Sequence, residues 1–225
     1  VPLTEDFQPN FDEISRTAHS HTKLLFVCSP NNPTANSFDA NVIEELIEEF
    51  QGIVVIDEAY IDFSKEESWL SRLNEFPNLI ITQTLSKAYG LAGIRLGICY
   101  ASEDIISVLN KIKPPYNINQ LTQDKASERL SNIEEIQNEV DIILNEREKL
   151  AAELESIPLV EIVYTSDANF LLVRVDDANK RYKQLIEKGI VVRNRTTQPL
   201  CENCLRFTVG TTVENQKLIK TLKAI

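Results

Sequence analysis

No apolar run in these 225 residues approaches the roughly 20 that a membrane helix requires. The opening, Val1-Pro2-Leu3-Thr4-Glu5-Asp6, has neither the basic nor the apolar segment of a secretory signal. Positive charge is in deficit: 23 Lys and Arg stand against 34 Asp and Glu, a net charge of −11. Such a balance argues against nucleic acid or an anionic membrane as the main partner. Cysteine is sparse, with four residues at 28, 99, 201 and 204. Cys201-Glu202-Asn203-Cys204 has the spacing of a redox pair or half a zinc site, but a second ligand pair is lacking. His19 and His21 are far away in sequence. A reduced, cytoplasmic protein is the expectation. Repeats and low-complexity segments are absent too. What remains, 43% hydrophobic and 25% charged, is enough for one large or two modest domains with a real core.

The first 110 residues alternate short apolar runs with amphipathic stretches, a βαβ pattern. Strands are expected at 23–28, 53–56, 79–83 and 94–100. Ile53-Val54-Val55-Ile56 is apolar throughout, as in a parallel sheet with covered faces. Ser37 reads as the N-cap of a helix that Gly52 ends. Lys113-Pro114-Pro115-Tyr116-Asn117 breaks the chain into two units, 1–118 and 119–225. The second unit begins with a long helix from about Ser131 to Ser156, with Ser131 and Glu134 as a capping box. Strands near 160–164, 169–175, 190–193 and 204–209 and helices near 177–188 and 213–223 make it α+β. The fold class expected is therefore α/β, a partial, mostly parallel sheet domain followed by a small α+β domain.

The segment Thr84-Leu85-Ser86-Lys87-Ala88-Tyr89-Gly90-Leu91-Ala92-Gly93-Ile94-Arg95 carries the strongest chemical signal. An amine that bonds to an aldehyde must be held close to it and be deprotonated at neutral pH. Ser86 and Arg95 offer a phosphate a hydroxyl donor and a forked cation. Asp57 follows the strand 53–56 and Asn32 follows the strand 23–28, so amine, carboxylate and amide all sit at carboxyl ends of strands, where open α/β sheets bind ligands. A buried aspartate keeps a pyridine nitrogen protonated, and Tyr60 and Asn32 are candidates to bind a ring hydroxyl. Plainer readings stand beside these: a strand-end cap for Asp57, a turn for Asn32 next to Pro33, a core aromatic for Tyr60.

Two arginines of the second unit stand out. Arg147 falls on the apolar stripe of the long helix and must find an anion, either a structural carboxylate or a substrate. Arg206 alternates with apolar residues on a strand, so it reads as a solvent-face residue or a ligand contact. Arg193 and Arg195 read as a solvated or interface patch, with contact to substrate as the alternative.

Taken together, the chain resembles a fold-type I pyridoxal-phosphate aminotransferase, and within that family the histidinol-phosphate aminotransferase group. The resemblance rests on Ser29-Pro30-Asn31-Asn32-Pro33-Thr34, Val55-Ile56-Asp57-Glu58-Ala59-Tyr60 and the Lys87 segment. It extends through Pro115-Tyr116-Asn117-Ile118-Asn119, Gly189-Ile190-Val191-Val192-Arg193 and Leu205-Arg206-Phe207-Thr208-Val209-Gly210-Thr211. It implies pyridoxal 5'-phosphate bonded to Lys87, which then moves the proton at the substrate α-carbon. Asp57 would pair with the ring nitrogen and Asn32 and Tyr60 with the ring hydroxyl. Ser86 and Arg95 would hold the phosphate, with Thr84 supporting them. Arg206, with Arg147, would hold the substrates' carboxylate and phosphate. The implied reaction exchanges an amine between L-histidinol phosphate and 2-oxoglutarate, in histidine biosynthesis, within a homodimer. It also implies that a first third, with the glycine loop for the phosphate and the aromatic that stacks on the ring, is missing here. The 225 residues alone are then expected to retain cofactor weakly and turn over little. Threonine-phosphate decarboxylase, an aromatic aminotransferase and a non-catalytic ligand sensor are the rival readings.

Overall fold

A computed structural model describes residues 1–225. After a short helix α1 (Phe11–Thr17), the chain builds a four-stranded sheet from β1 (Leu24–Cys28), β2 (Ile53–Asp57), β3 (Leu79–Thr84) and β4 (Gly97–Ala101), in that spatial order. β1, β2 and β3 run parallel, and β4 closes the edge antiparallel to β3. The first crossover is α2 (Ala40–Glu49), whose Ile43, Leu46 and Ile47 pack with Val27, Val54, Ile56, Leu79 and Ile81 on one sheet face. A 3-10 segment, Trp69–Glu75, completes that cover with Trp69. The opposite face carries Leu24, Phe26, Cys28, Asp57, Thr82 and Thr84 by strand register. There Phe26 remains 69% exposed.

Three helices follow: α3 (Glu103–Ile112), α4 (Gln120–Leu130) and the 23-residue α5 (Ile133–Glu155). An antiparallel sheet with spatial order β5 (Val160–Val163), β6 (Phe170–Val175), β8 (Cys204–Thr208), β7 (Arg193–Asn194) forms the second half. It is flanked by α6 (Ala178–Glu187) and α7 (Thr212–Leu222). α7 opens with a true capping box between Thr211 and Glu214. Leu150 and Leu154 of α5 enter the core of this sheet with Val173, Leu205 and Phe207, while Val140 of the same helix packs between the sheets with Tyr60, Phe63 and Phe170. One helix about 34 Å long thus fixes how the two sheets meet.

Several boundaries differ from expectation. The N-cap of α2 is Asp39, whose side chain accepts the Asn41 N–H. Ser37 serves elsewhere: its N–H donates to Asp167 and its hydroxyl meets that of Ser64, joining distant segments. Ser131 does not cap α5; it ends α4 and donates to the Glu128 carbonyl, and Asn132 precedes α5 without a side-chain cap. The strand expected at 94–100 starts only at Gly97, because Ala92–Ile94 forms a 3-10 turn and Arg95 is left-handed at φ 56°. The strand expected at 190–193 shrinks to Arg193–Asn194, with Val191 outside at 76% exposure. α1, α3 and α4 had no clear signature in the pattern.

The start of α6 yields a pH prediction. Arg181, buried, grips the Asp176 carboxylate through Nε at 2.9 Å and Nη2 at 2.5 Å. That guanidinium holds the carboxyl down at about 2. A folded value below the unfolded one, near 3.9, means the stabilisation is complete above pH 4 and lost as pH falls through about 2. Because Asp176 is partly solvated, about 1 kcal/mol is expected. Urea unfolding at pH 5 and pH 2.5 should show Asp176→Asn less destabilised by acid than the parent.

Candidate active site

Parallel strands end together, and their ends set the first groups. Asp57 closes β2, flanked in register by Cys28 on β1 and Thr82 on β3. Its Oδ1 accepts the Ala59 N–H at 3.1 Å, which turns the chain toward Tyr60. Burial and the neighbouring Asp57 charge push the Cys28 thiol up to about 11, so a neutral sulfur lies beside the carboxylate.

Lys87 sits on the loop between β3 and β4. Leu85 and Ala88 anchor it, 2% and 4% exposed, while Lys87 between them stays exposed. The Thr84 hydroxyl accepts the Ser86 N–H and donates to the Leu96 carbonyl, shaping the turn from inside. From α4, Thr122 donates to the Ile94 carbonyl and Arg129 to that of Tyr89, so this helix clamps the loop. Gly90 takes φ 69°, a left-handed turn that suits glycine. Arg95 adopts the same region at φ 56° without being glycine, an uncommon conformation that concentrates at functional sites. Its Nη1 bonds the Ala92 carbonyl, and its other donors are unused.

A chain of contacts crosses from this loop to the second sheet. The Lys87 Nζ lies 5.3 Å from the Tyr60 ring centre. Tyr60 meets Phe170 edge-on at 5.2 Å, and the Arg206 guanidinium stacks 4.6 Å over the other ring. Arg206 then returns to the first sheet, its Nη1 donating to Asn32 Oδ1 at 2.6 Å. Lys87, Tyr60, Phe170, Arg206 and Asn32 are therefore linked in one chain of contacts, and Asp57 closes the strand three residues before Tyr60.

Arg206 pairs in register with Arg193 across β8 and β7, and Arg195 follows one residue beyond that strand. None of the three forms an ion pair. The Nε atoms of Arg195 and Arg206 are buried without partners. Burial, then repulsion from Arg195 and Arg193, lowers the Arg206 guanidinium from its ordinary value. A partly desolvated guanidinium without an ion pair, as at Arg206, calls for an anion from outside. Arg193 and Arg195, read from sequence as a solvated or interface patch or a substrate contact, are placed beside Arg206 by the strand pairing.

Arg147 forms no ion pair with a carboxylate, so the structural pairing expected from sequence is not made. Buried, it donates through Nη1 to the carbonyls of Phe63 at 3.2 Å and Ala168 at 2.8 Å. Burial lowers its basicity, countered in part by Asp167. These two bonds sew α5 to both halves. Cys201 and Cys204 are buried free thiols packed with Phe7 and Leu172, while His19 and His21 are exposed. No group of three His, Cys, Asp or Glu side chains is arranged to hold a metal.

The family model for aminotransferases of class I and II matches residues 1–222. The chain belongs to the aminotransferase class I and II family. Histidinol-phosphate aminotransferase from Flavobacterium johnsoniae is 63% identical over all 225 residues, and the chain spans 64% of that relative's length. The crystal structure of histidinol-phosphate aminotransferase from Clostridium acetobutylicum superposes with a TM-score of 0.91 at 24% identity, covering 99% of this chain and 69% of that one. That of the Sinorhizobium meliloti enzyme in complex with pyridoxal-5'-phosphate gives 0.84 at 22%, covering 100% and 62%. The fold is that of the fold-type I pyridoxal-phosphate enzymes, and no helix is long and apolar enough to cross a membrane.

Proposed function

We propose that this chain carries the lysine-bearing part of a pyridoxal-phosphate-dependent transaminase that moves an amine between L-histidinol phosphate and 2-oxoglutarate. The observation that carries the reading is the chain of contacts that joins Lys87, whose amine has no hydrogen-bond or ion-pair partner, through Tyr60 and Phe170 to Arg206, a guanidinium with no carboxylate of its own. The residues fit the cofactor. Lys87 has no hydrogen-bond or ion-pair partner to displace, Ser86 and Arg95 supply phosphate donors, and Asp57 offers a carboxylate to a ring nitrogen. When bound, the cofactor supplies an electron sink for charge at the substrate α-carbon.

Each residue of the chain then has a task at a stated atom. Lys87 would hold the cofactor through Nζ and would carry the proton at the substrate α-carbon, and Asp57 would pair with the ring nitrogen. Asn32 has its Oδ1 occupied by Arg206, which leaves its amide N–H groups for the ring hydroxyl together with Tyr60. Arg206 grips the glutamate carboxylate or the phosphate end of the amine substrate, with Arg193 and Arg195 adding charge. The likeness to histidinol-phosphate aminotransferases over the whole chain supports the imidazole-bearing phosphate as donor. Four free cysteines support a reducing cytoplasm. Exposed Val108, Ile112, Tyr116 and Leu121 support burial against a second copy, a homodimer.

Single-turnover absorbance measurements on the protein at the length of its relatives test the substrate. Histidinol phosphate should convert the bound cofactor at least about 100-fold faster than phenylalanine, which lacks the phosphate. Release of CO2 from threonine phosphate at a comparable rate would replace this reading with a decarboxylase.

A further inference from the structure

Next to Asp57 lies a second carboxylate that the proposed chemistry does not use. Glu58 is 1% exposed and has no cationic partner. A buried carboxylate without a cation must be satisfied by donors. Glu58 has three: its Oε1 accepts the Trp69 N–H at 2.8 Å, and its Oε2 accepts the Ser68 hydroxyl at 2.6 Å and the Gln83 amide at 2.8 Å. The backbone adds a fourth link, from Glu58 N–H to the Thr82 carbonyl at 2.8 Å.

The location of these donors gives the carboxylate its use. Gln83 is the penultimate residue of β3, four before Lys87, and Glu58 directly follows Asp57 at the end of β2. Side chains alternate along strands, so Asp57, Thr82 and Thr84 face the open side while Gln83 faces the Trp69–Glu75 cover. Glu58 therefore bolts the two strand ends together from beneath and pins both to Ser68 and Trp69.

We propose that Glu58 is a positioning residue: through Gln83 and Ser68 it sets the spacing between the strand end that bears Asp57 and the one that leads to Lys87. The proposal rests on the cofactor reading above. A carboxylate that only capped the Trp69–Glu75 turn would not need Gln83, and its loss would leave the cofactor's electronic state unchanged.

The test uses the cofactor-loaded protein at the length of its relatives and four variants: Glu58→Ala, Gln83→Glu, the exchanged pair Glu58→Gln with Gln83→Glu, and Lys87→Ala. The exchanged pair restores an amide–carboxylate bridge with its direction reversed, while Gln83→Glu alone sets two carboxylates against each other. The readouts are the cofactor dissociation constant and the pH midpoint of the bound cofactor's absorbance change. Glu58→Ala should weaken cofactor binding about tenfold and move the midpoint up by roughly half a unit or more, because Asp57 no longer meets the ring nitrogen squarely. Gln83→Glu should be worse, and the exchanged pair should return both readouts to within about threefold of the parent. A folded Glu58→Ala with parental binding and midpoint overturns the proposal. So does an exchanged pair that folds yet behaves like Gln83→Glu. Lys87→Ala separates the two levels: if the parent shows no absorbance band that depends on Lys87, the cofactor reading itself falls, whatever residue 58 does.

Discussion

Lys87→Ala should abolish turnover, by about 10⁴-fold or more, because no other side chain in this chain of contacts offers an amine to an aldehyde. Lys87 is exposed, stacks only loosely on Tyr60 at 5.3 Å, and stands between the buried anchors Leu85 and Ala88. Removing its side chain leaves those anchors and the Thr84–Leu96 contact in place. The thermal melting point of the cofactor-free protein should therefore stay within a degree or two of the parent. Borohydride reduction followed by mass spectrometry should find the cofactor on the Lys87 peptide in the parent and nowhere in the variant. Unchanged attachment in Lys87→Ala would remove the basis of the functional reading.

Arg206→Ala should cost about 10²- to 10³-fold in kcat/KM, mostly through KM for both substrates, since on the proposed reading each brings an anion to this guanidinium. The loss has a second part. Asn32 loses the donor at its Oδ1 and Phe170 the cation over its ring, so the amide loses the bond that fixes its orientation. Arg206→Lys should recover only part of the loss, because an ammonium lacks the fork that reaches both Asn32 and an anion. Steady-state kinetics with each substrate varied in turn checks this. Equal losses for anionic and neutral amine donors would mean that Arg206 serves the fold and not the substrate.

The two predictions draw on different kinds of information. Lys87, Asp57 and Asn32 are legible from the sequence because a short apolar strand followed by a polar residue places that residue at a strand end, whatever the rest of the chain does. The same locality exposed the long helix. The failures are non-local. Ser37 has the local signature of a cap, yet Asp167, 130 residues away, takes its N–H. Ser131 and Glu134 have the spacing of a capping box, but the preceding helix ends on Ser131. Arg147 lies on an apolar stripe that demanded an anion, and two backbone carbonyls from distant turns answered instead. No periodicity in one segment carries that kind of information.

The amino-acid order alone determined the alternation of strands and helices, the strand-end positions of Asn32 and Asp57, and the loop that presents Lys87. Those properties follow from hydrophobic period and turn chemistry, which act over a few residues. Only the tertiary structure brought Arg206 onto Asn32 across 174 residues, set Arg193 opposite Arg206, and turned Glu58 into a buried tie between two strands. The reason is physical: packing of α5 against both sheets selects which distant side chains meet, and a guanidinium or carboxylate acquires its role from the partners it is left with.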